Sequence, residues 1–125
     1  MAEPTKVFFK QLAERGHEPL LQAVTGTILF DLEDGERTEH WYVTIKKGDV
    51  AVSHKGDVAD CVLRTDLATF DAIMSGRMNA MACILRGLVD VEGKIILIRA
   101  LQRLFPRPSG SSDERGAAGY ARRLQ

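Results

Sequence analysis

The period of the apolar positions along the chain changes twice, from helical to alternating and back to helical, and these changes mark the elements. From Pro4 to about Arg15, Val7, Phe8 and Leu12 recur at helical spacing, and Gly16 is placed to close the helix. A short helical turn is predicted from Glu18 to Ala23, with Pro19 at its first position. In "VTGTILFDL", Val24, Ile28, Phe30 and Leu32 alternate with Thr25, Thr27, Leu29 and Asp31, the pattern of a strand with one apolar face. Asp34-Gly35 predicts a hairpin, because both central residues of a type I′ turn need positive φ. The return strand, about Thr38 to Lys46, places Trp41, Val43 and Ile45 on one face and His40, Tyr42 and Thr44 on the other. A tight turn at Lys47, Gly48 and Asp49 leads into a third strand, Val50 to His54, and "ADCVLRT" reads as a fourth.

From there the period becomes about 3.6 residues. Thr65 or Asp66 can cap a helix that carries Leu67, Phe70, Ile73 and Met74, and Ser75-Gly76 interrupts it. Asn79 to Leu85 is predicted as a second helix, with Met78 just before it and Met81 on it. Arg86-Gly87 returns the chain to a strand, Leu88 to Glu92, which Gly93 ends. The closing helix carries Leu97, Ile98, Leu101, Leu104 and Phe105 on one side, with Arg99, Gln102 and Arg103 on the other. A sheet with one apolar face and several amphipathic helices to cover it is an α+β layer architecture.

After Phe105 the composition shifts to "PRPSGSSDERGAAGYARRLQ", in which Tyr120 and Leu124 are the sizeable apolar groups. Such a segment cannot offset its ordering entropy, so one folded domain is expected over 1–105 and a disordered tail over 106–125. At 125 residues the chain is long enough for one core. Seventeen basic and seventeen acidic residues cancel, and the tail's four basic against two acidic residues make no polybasic arm, which argues against nucleic acid as a partner. Cys61 and Cys83 match neither a CxxC redox pair nor a zinc spacing, and both stand among apolar neighbours, as buried thiols in a reducing compartment would. The N-terminus lacks an apolar run of signal-peptide length and the last three residues are Arg-Leu-Gln, not a peroxisomal Ser-Lys-Leu. The expected location is the cytoplasm.

Catalytic and cofactor motifs find no match. Five residues, not four, separate Gly87 from Gly93-Lys94, and Ile95 follows, so the phosphate-binding loop pattern fails twice. No GxGxxG opens a helix. His17, His40 and His54 fall in three elements without HxxxH spacing. A metal on His54, Asp57 and Asp60 is outweighed by a solvated turn, and Ser53 and His54 point to opposite strand faces. Cys83, beside Met81, Ala82 and Ile84, lacks the electropositive setting of a reactive thiolate. Neither an enzyme activity, a cofactor nor a metal is expected.

The surplus lies in flexible apolar side chains. Met74, Met78 and Met81 are three of four methionines, and unbranched, polarisable side chains suit a site that accepts guests of varied length, although they also fill irregular gaps in a core. Trp41, Phe30 and Phe70 read equally as cavity lining or as packing anchors.

The order of "GTILFDL" (26–32), "WYVTIKKGDVAV" (41–52), "ADCVLRTD" (59–66), "MSGRMNAMACILRGLVDVEG" (74–93) and "LIRALQRLF" (97–105) resembles the sterol carrier protein family, the small domains also called non-specific lipid-transfer proteins. The likeness covers about Leu20 to Phe105 and is nearest to the short bacterial single-domain type. It departs where Asn79 is followed by Ala80-Met81 and where Arg86 precedes Gly87. The resemblance implies a five-stranded, mostly antiparallel sheet, helices over one face and an elongated apolar tunnel between the layers. It also implies a non-catalytic carrier of fatty acids, fatty acyl-CoA, sterols or similar molecules, whose contact with membranes would be transient. On that footing the lining is assigned to Ile28, Phe30, Trp41, Val43, Phe70, Ile73, Met74, Met78, Met81, Leu85, Leu97 and Leu101, with a mouth near Arg77, Arg86 or Arg103. The rival expectation is an accessory domain that presents an apolar groove to a partner enzyme.

Overall fold

Alternating apolar residues build one sheet, and everything else is arranged on its apolar face. The computed structural model describes residues 4–106, so all of the predicted tail except Pro106 lies outside the described residues. Strands β1 (Thr25–Asp34), β2 (Arg37–Lys46), β3 (Asp49–Ser53), β4 (Cys61–Asp66) and β5 (Asp90–Gly93) form a five-stranded sheet in the order β3-β2-β1-β4-β5. All neighbours are antiparallel except β1 and β4, which run parallel.

The parallel pair requires a crossover from the β3 edge to the far side of β1. Residues 54–60 supply it. Gly56 packs on the Tyr42 ring so closely that a Cβ there would stand 2.6 Å from Cδ2. At the end of the crossover the Asp60 amide donates to the Thr27 carbonyl and the Thr27 amide to the Asp60 carboxylate, both at 2.8 Å, which sets the β1/β4 register.

The first tight turn departs from its expected chemistry. Asp34 pairs with Arg37, so the central residues of the first turn are Gly35 and Glu36, and Gly35 alone has positive φ, at 67°. A glycine at the first central position is the arrangement of type II′, not type I′. Positive φ at both centres occurs instead at Lys47 (50°) and Gly48 (93°), between the paired Lys46 and Asp49.

Ile28, Phe30, Leu32, Val43, Ile45, Cys61 and Leu63 are buried on the inner face of the sheet. The outer face carries Asp31 and Arg64, 3.6 Å apart, and Arg64 with Glu92, 3.3 Å apart, exposed pairs that add little stability. Over the inner face lie α1 (Pro4–Arg15), α2 (Leu67–Met74), α3 (Ala80–Leu85) and α4 (Ile95–Leu101), followed by a 3₁₀ turn, Gln102–Leu104. Of the two candidate caps for α2, Asp66 takes the role, accepting from the Thr69 amide at 2.7 Å, while Thr65 Oγ1 donates to the Leu88 carbonyl at 2.8 Å. Asn79 caps α3 in the same way through Ala82, at 2.9 Å. Leu97 of α4 seats directly on Gly26, where a Cβ would come within 2.7 Å of its Cδ1.

Two expectations are corrected. Strand β5 starts at Asp90 and not at Leu88, because the amides of Leu88 and Val89 both return to the Cys83 carbonyl before the chain reaches β4. On α1 the buried stripe is Thr5, Phe9 and Leu12, whereas Val7 is 42% exposed. The helix is rotated about its axis by two attachments: Thr5 bonds Asp71 of α2 through both its amide and its hydroxyl, and Phe9 enters between Trp41 and Phe70.

Candidate functional site

The same rotation of α1 leaves a second, adjoining apolar stripe of that helix unburied. Pro4, Val7, Phe8 and Gln11 fall at helical spacing and line an apolar cleft of about 270 Å³. The facing wall is Met74, the last residue of α2, with Leu104 and Pro106 from the 3₁₀ turn and its exit. Gln11 supplies the one polar side chain of the lining. A narrower depression of about 40 Å³ shares Phe8, Gln11 and Leu104 and continues along α1 to Arg15. There the Arg15 guanidinium is bonded to Glu18, whose carboxylate also accepts from the Leu20 amide at 2.9 Å. That amide, then Arg15, holds the Glu18 carboxyl below the usual glutamate range.

Inward of the cleft, six aromatic side chains fill the middle of the two-layer packing. Phe8 meets Phe105 edge to face at 5.4 Å and Phe9 at 5.3 Å, Phe105 meets Phe70 at 6.2 Å, and Phe9 meets Phe30 at 5.1 Å and Trp41 at 4.5 Å. Trp41 donates its indole N–H to Glu39 at 3.1 Å and is flanked on its other side by His54, at 4.2 Å.

Against this geometry, the residues assigned to the lining fall into three groups. Ile28, Phe30, Val43, Phe70, Ile73, Leu97 and Leu101 are buried in one contiguous core. Trp41, Met78 and Met81 are half-buried, and Leu85, at the end of α3, is 80% exposed. Met74 alone of the twelve lines the cleft. Pro4, Val7, Phe8, Gln11, Leu104 and Pro106 are not among the residues that the sequence assigned to the lining. The signal was the width of the α1 apolar arc, since Val7, Phe8, Phe9 and Leu12 span more surface than one buried stripe needs. Among the arginines named for a mouth, Arg103 neighbours Leu104 on the 3₁₀ turn, while Arg77 is turned onto Ser75 Oγ at 3.0 Å.

A polar hollow of about 320 Å³ lies among Lys6, Asp34, Arg37, Thr38, Glu39 and Leu67, with both signs of charge in its wall. Among the described residues no group of three metal-ligating side chains is close enough to hold an ion, and no helix is long and apolar enough to cross a membrane. His17 bonds Asp49 at 2.7 Å, His40 lies 3.6 Å from Asp31, and His54 approaches the His40 carbonyl at 3.1 Å. Both cysteines are buried, and loss of hydration pushes each thiol up, reinforced at Cys61 by Asp60 and opposed at Cys83 by Arg86.

A family model described as the SCP-2 sterol transfer family matches residues 8–106. Sterol carrier protein 2 of Homo sapiens is 30% identical over 105 residues, which cover 82% of this chain and 19% of the human protein, so the chain spans about a fifth of the length of such relatives. Among solved structures, the sterol carrier protein 2 of Aedes aegypti in complex with the C16 fatty acid palmitate superposes with a TM-score of 0.63 at 21% identity, over 83% of this chain and 96% of that one. The sec-alkylsulfatase Pisa1 from Pseudomonas sp. contains the same fold, with a TM-score of 0.65 at 19% identity, over 81% of this chain and 16% of that one.

Proposed function

Because the chain belongs to the SCP-2 sterol transfer family, we propose that it binds and transfers lipids without covalent chemistry, holding the alkyl part of its guest in the cleft between α1, Met74 and Leu104. The observation that carries this is the cleft itself: about 270 Å³ of open space whose walls are apolar but for Gln11. A pocket of that kind selects by shape and dryness. At ~30 Å³ per methylene, close to the share of one water in the liquid, it takes about nine methylenes. Burying them at ~0.8 kcal/mol each gives ~7 kcal/mol before association costs, so affinities of about ten micromolar or weaker are expected. Binding that weak lets a cargo leave again, which transfer requires.

The palmitate complex of the Aedes aegypti protein makes fatty acids the first ligands to try. A fluorescent fatty acid should be taken up saturably and displaced by unlabelled acid, and native mass spectrometry of protein purified from cells should show lipid masses riding on the folded chain. A protein that shows neither saturable uptake nor co-purifying lipid is not a carrier.

A second reading is an accessory domain that presents an apolar surface to an enzyme. It is favoured by Leu85 at 80% and Ile96 at 64% exposure, and by the occurrence of this fold within the longer sulfatase chain. Under that reading the purified protein carries no lipid and instead elutes with a partner.

A further inference from the structure

We propose that Phe8 and Phe105, backed by Phe9 and Phe70, form the blind end of the cleft and thereby set the length of alkyl chain the protein accepts. The inference rests on the carrier reading and deepens it by naming the substrate class.

Phe8 lines the cleft and also faces inward onto other rings. Its edge-to-face contact with Phe105, 5.4 Å and 80°, backs the lining ring with one that lies behind it. Behind it stands a second layer, Phe9 and Phe70, 6.0 Å apart and nearly parallel. Phe105 touches that layer at 6.2 Å and 89°, so a guest cannot pass one ring without moving the next. Interlocked rings of this kind have little freedom to swing aside, because each edge is held against a neighbour's face. The inner face of the sheet, with Phe30 and Trp41, is therefore closed to a chain entering beside α1. A cleft that ends there favours unbranched chains of about eight to ten carbons, or the terminal part of longer ones.

The test is calorimetric titration of the full chain with saturated fatty acids from six to sixteen carbons. Affinity should rise about fourfold per methylene while carbons still enter the cleft. It should then level off near ten carbons, because further methylenes stay in water. Phe8→Ala removes a half-buried ring and should carry the plateau roughly three carbons further, the room that ring leaves. Phe8→Leu should carry it a shorter way, and Val58→Ala, an exposed change outside the cleft, should leave the plateau where it is. Affinity that climbs steadily to sixteen carbons in the unmodified protein overturns the barrier while leaving the carrier intact, and this measurement does not depend on any variant folding. A plateau that stays put in a folded Phe8→Ala protein overturns it equally. Absence of binding at every length removes the carrier reading itself, and the barrier with it.

Discussion

The Phe9 ring lies parallel to the Trp41 indole, with centroids 4.5 Å apart and 11° between the planes. Phe9 is fully buried and also meets Phe30 and Phe70, so it joins α1, the sheet and α2 in one contact. Phe9→Ala should cost about 3–5 kcal/mol in guanidinium unfolding, since the surrounding rings cannot all collapse into the space. Trp41 is the sole tryptophan, so its native emission should shift in the same variant. A loss below about 1 kcal/mol would show that α1 is not anchored through this ring.

Thr5, 1% exposed, ties α1 to α2 through two bonds to Asp71 Oδ1. Thr5→Val keeps the shape and the amide but deletes the hydroxyl, and the charge on Asp71 makes the lost bond worth about 1.5–3 kcal/mol. Thr5→Ser should recover most of that stability. A loss in Thr5→Ser with none in Thr5→Val would place the effect in packing of the threonine methyl instead.

Uptake of a fluorescent fatty acid should separate cleft residues from bystanders. Met74→Arg places a charge in the cleft wall and should lower affinity at least tenfold, because the guest would then desolvate a cation. His54→Ala, an exposed change on the far side of Trp41, should leave affinity within about twofold, the scatter of a surface substitution. Matching losses in the two variants would mean that the guest sits elsewhere.

The Glu18 carboxyl is held below its ordinary range by the Leu20 amide and by Arg15. A lowered folded value means stability that is present above the ordinary glutamate pKa and is lost as pH falls through the lowered one. Glu18→Gln should therefore flatten the acid limb of the melting-temperature profile while leaving its neutral part parallel. Superimposable acid limbs would show that the contacts of Glu18 with the Leu20 amide and Arg15 have no such linkage.

Both thiols are buried, and loss of hydration raises them. Ellman's reagent should label neither Cys61 nor Cys83 rapidly at neutral pH, and both should react at once in denaturant. Rapid labelling of Cys83 in the native protein would instead reveal that α3 opens.

Much of the fold was legible because it depends on short-range chemistry. The limits of α1, the alternation of β1 and β2 and a cap at Thr65 or Asp66 all follow from residues within one or two turns of each other. The offset of the first hairpin turn by one residue was not legible, since Asp34-Gly35 and Gly35-Glu36 both offer glycine to a tight turn, and pairing along the whole of β1 and β2 chooses between them. The candidate cleft was less visible still. Of its lining, Met74 was singled out among the flexible apolar side chains, while Val7 and Phe8 were read as the buried side of α1.

Periodicity, turn residues and composition determined by themselves that this chain makes a sheet with one apolar face, helices to cover it, and more apolar surface than polar chemistry. Those properties are written locally, in spacings that a strand or helix imposes on its own side chains. Tertiary structure decided the parallel pairing of β1 with β4, the insertion of Phe9 between Trp41 and Phe70, and the cleft left beside Phe8. The reason is physical: the rotation of α1 about its axis minimises the energy of contacts with residues far along the chain, Trp41, Phe70 and Asp71, and no local pattern carries that information.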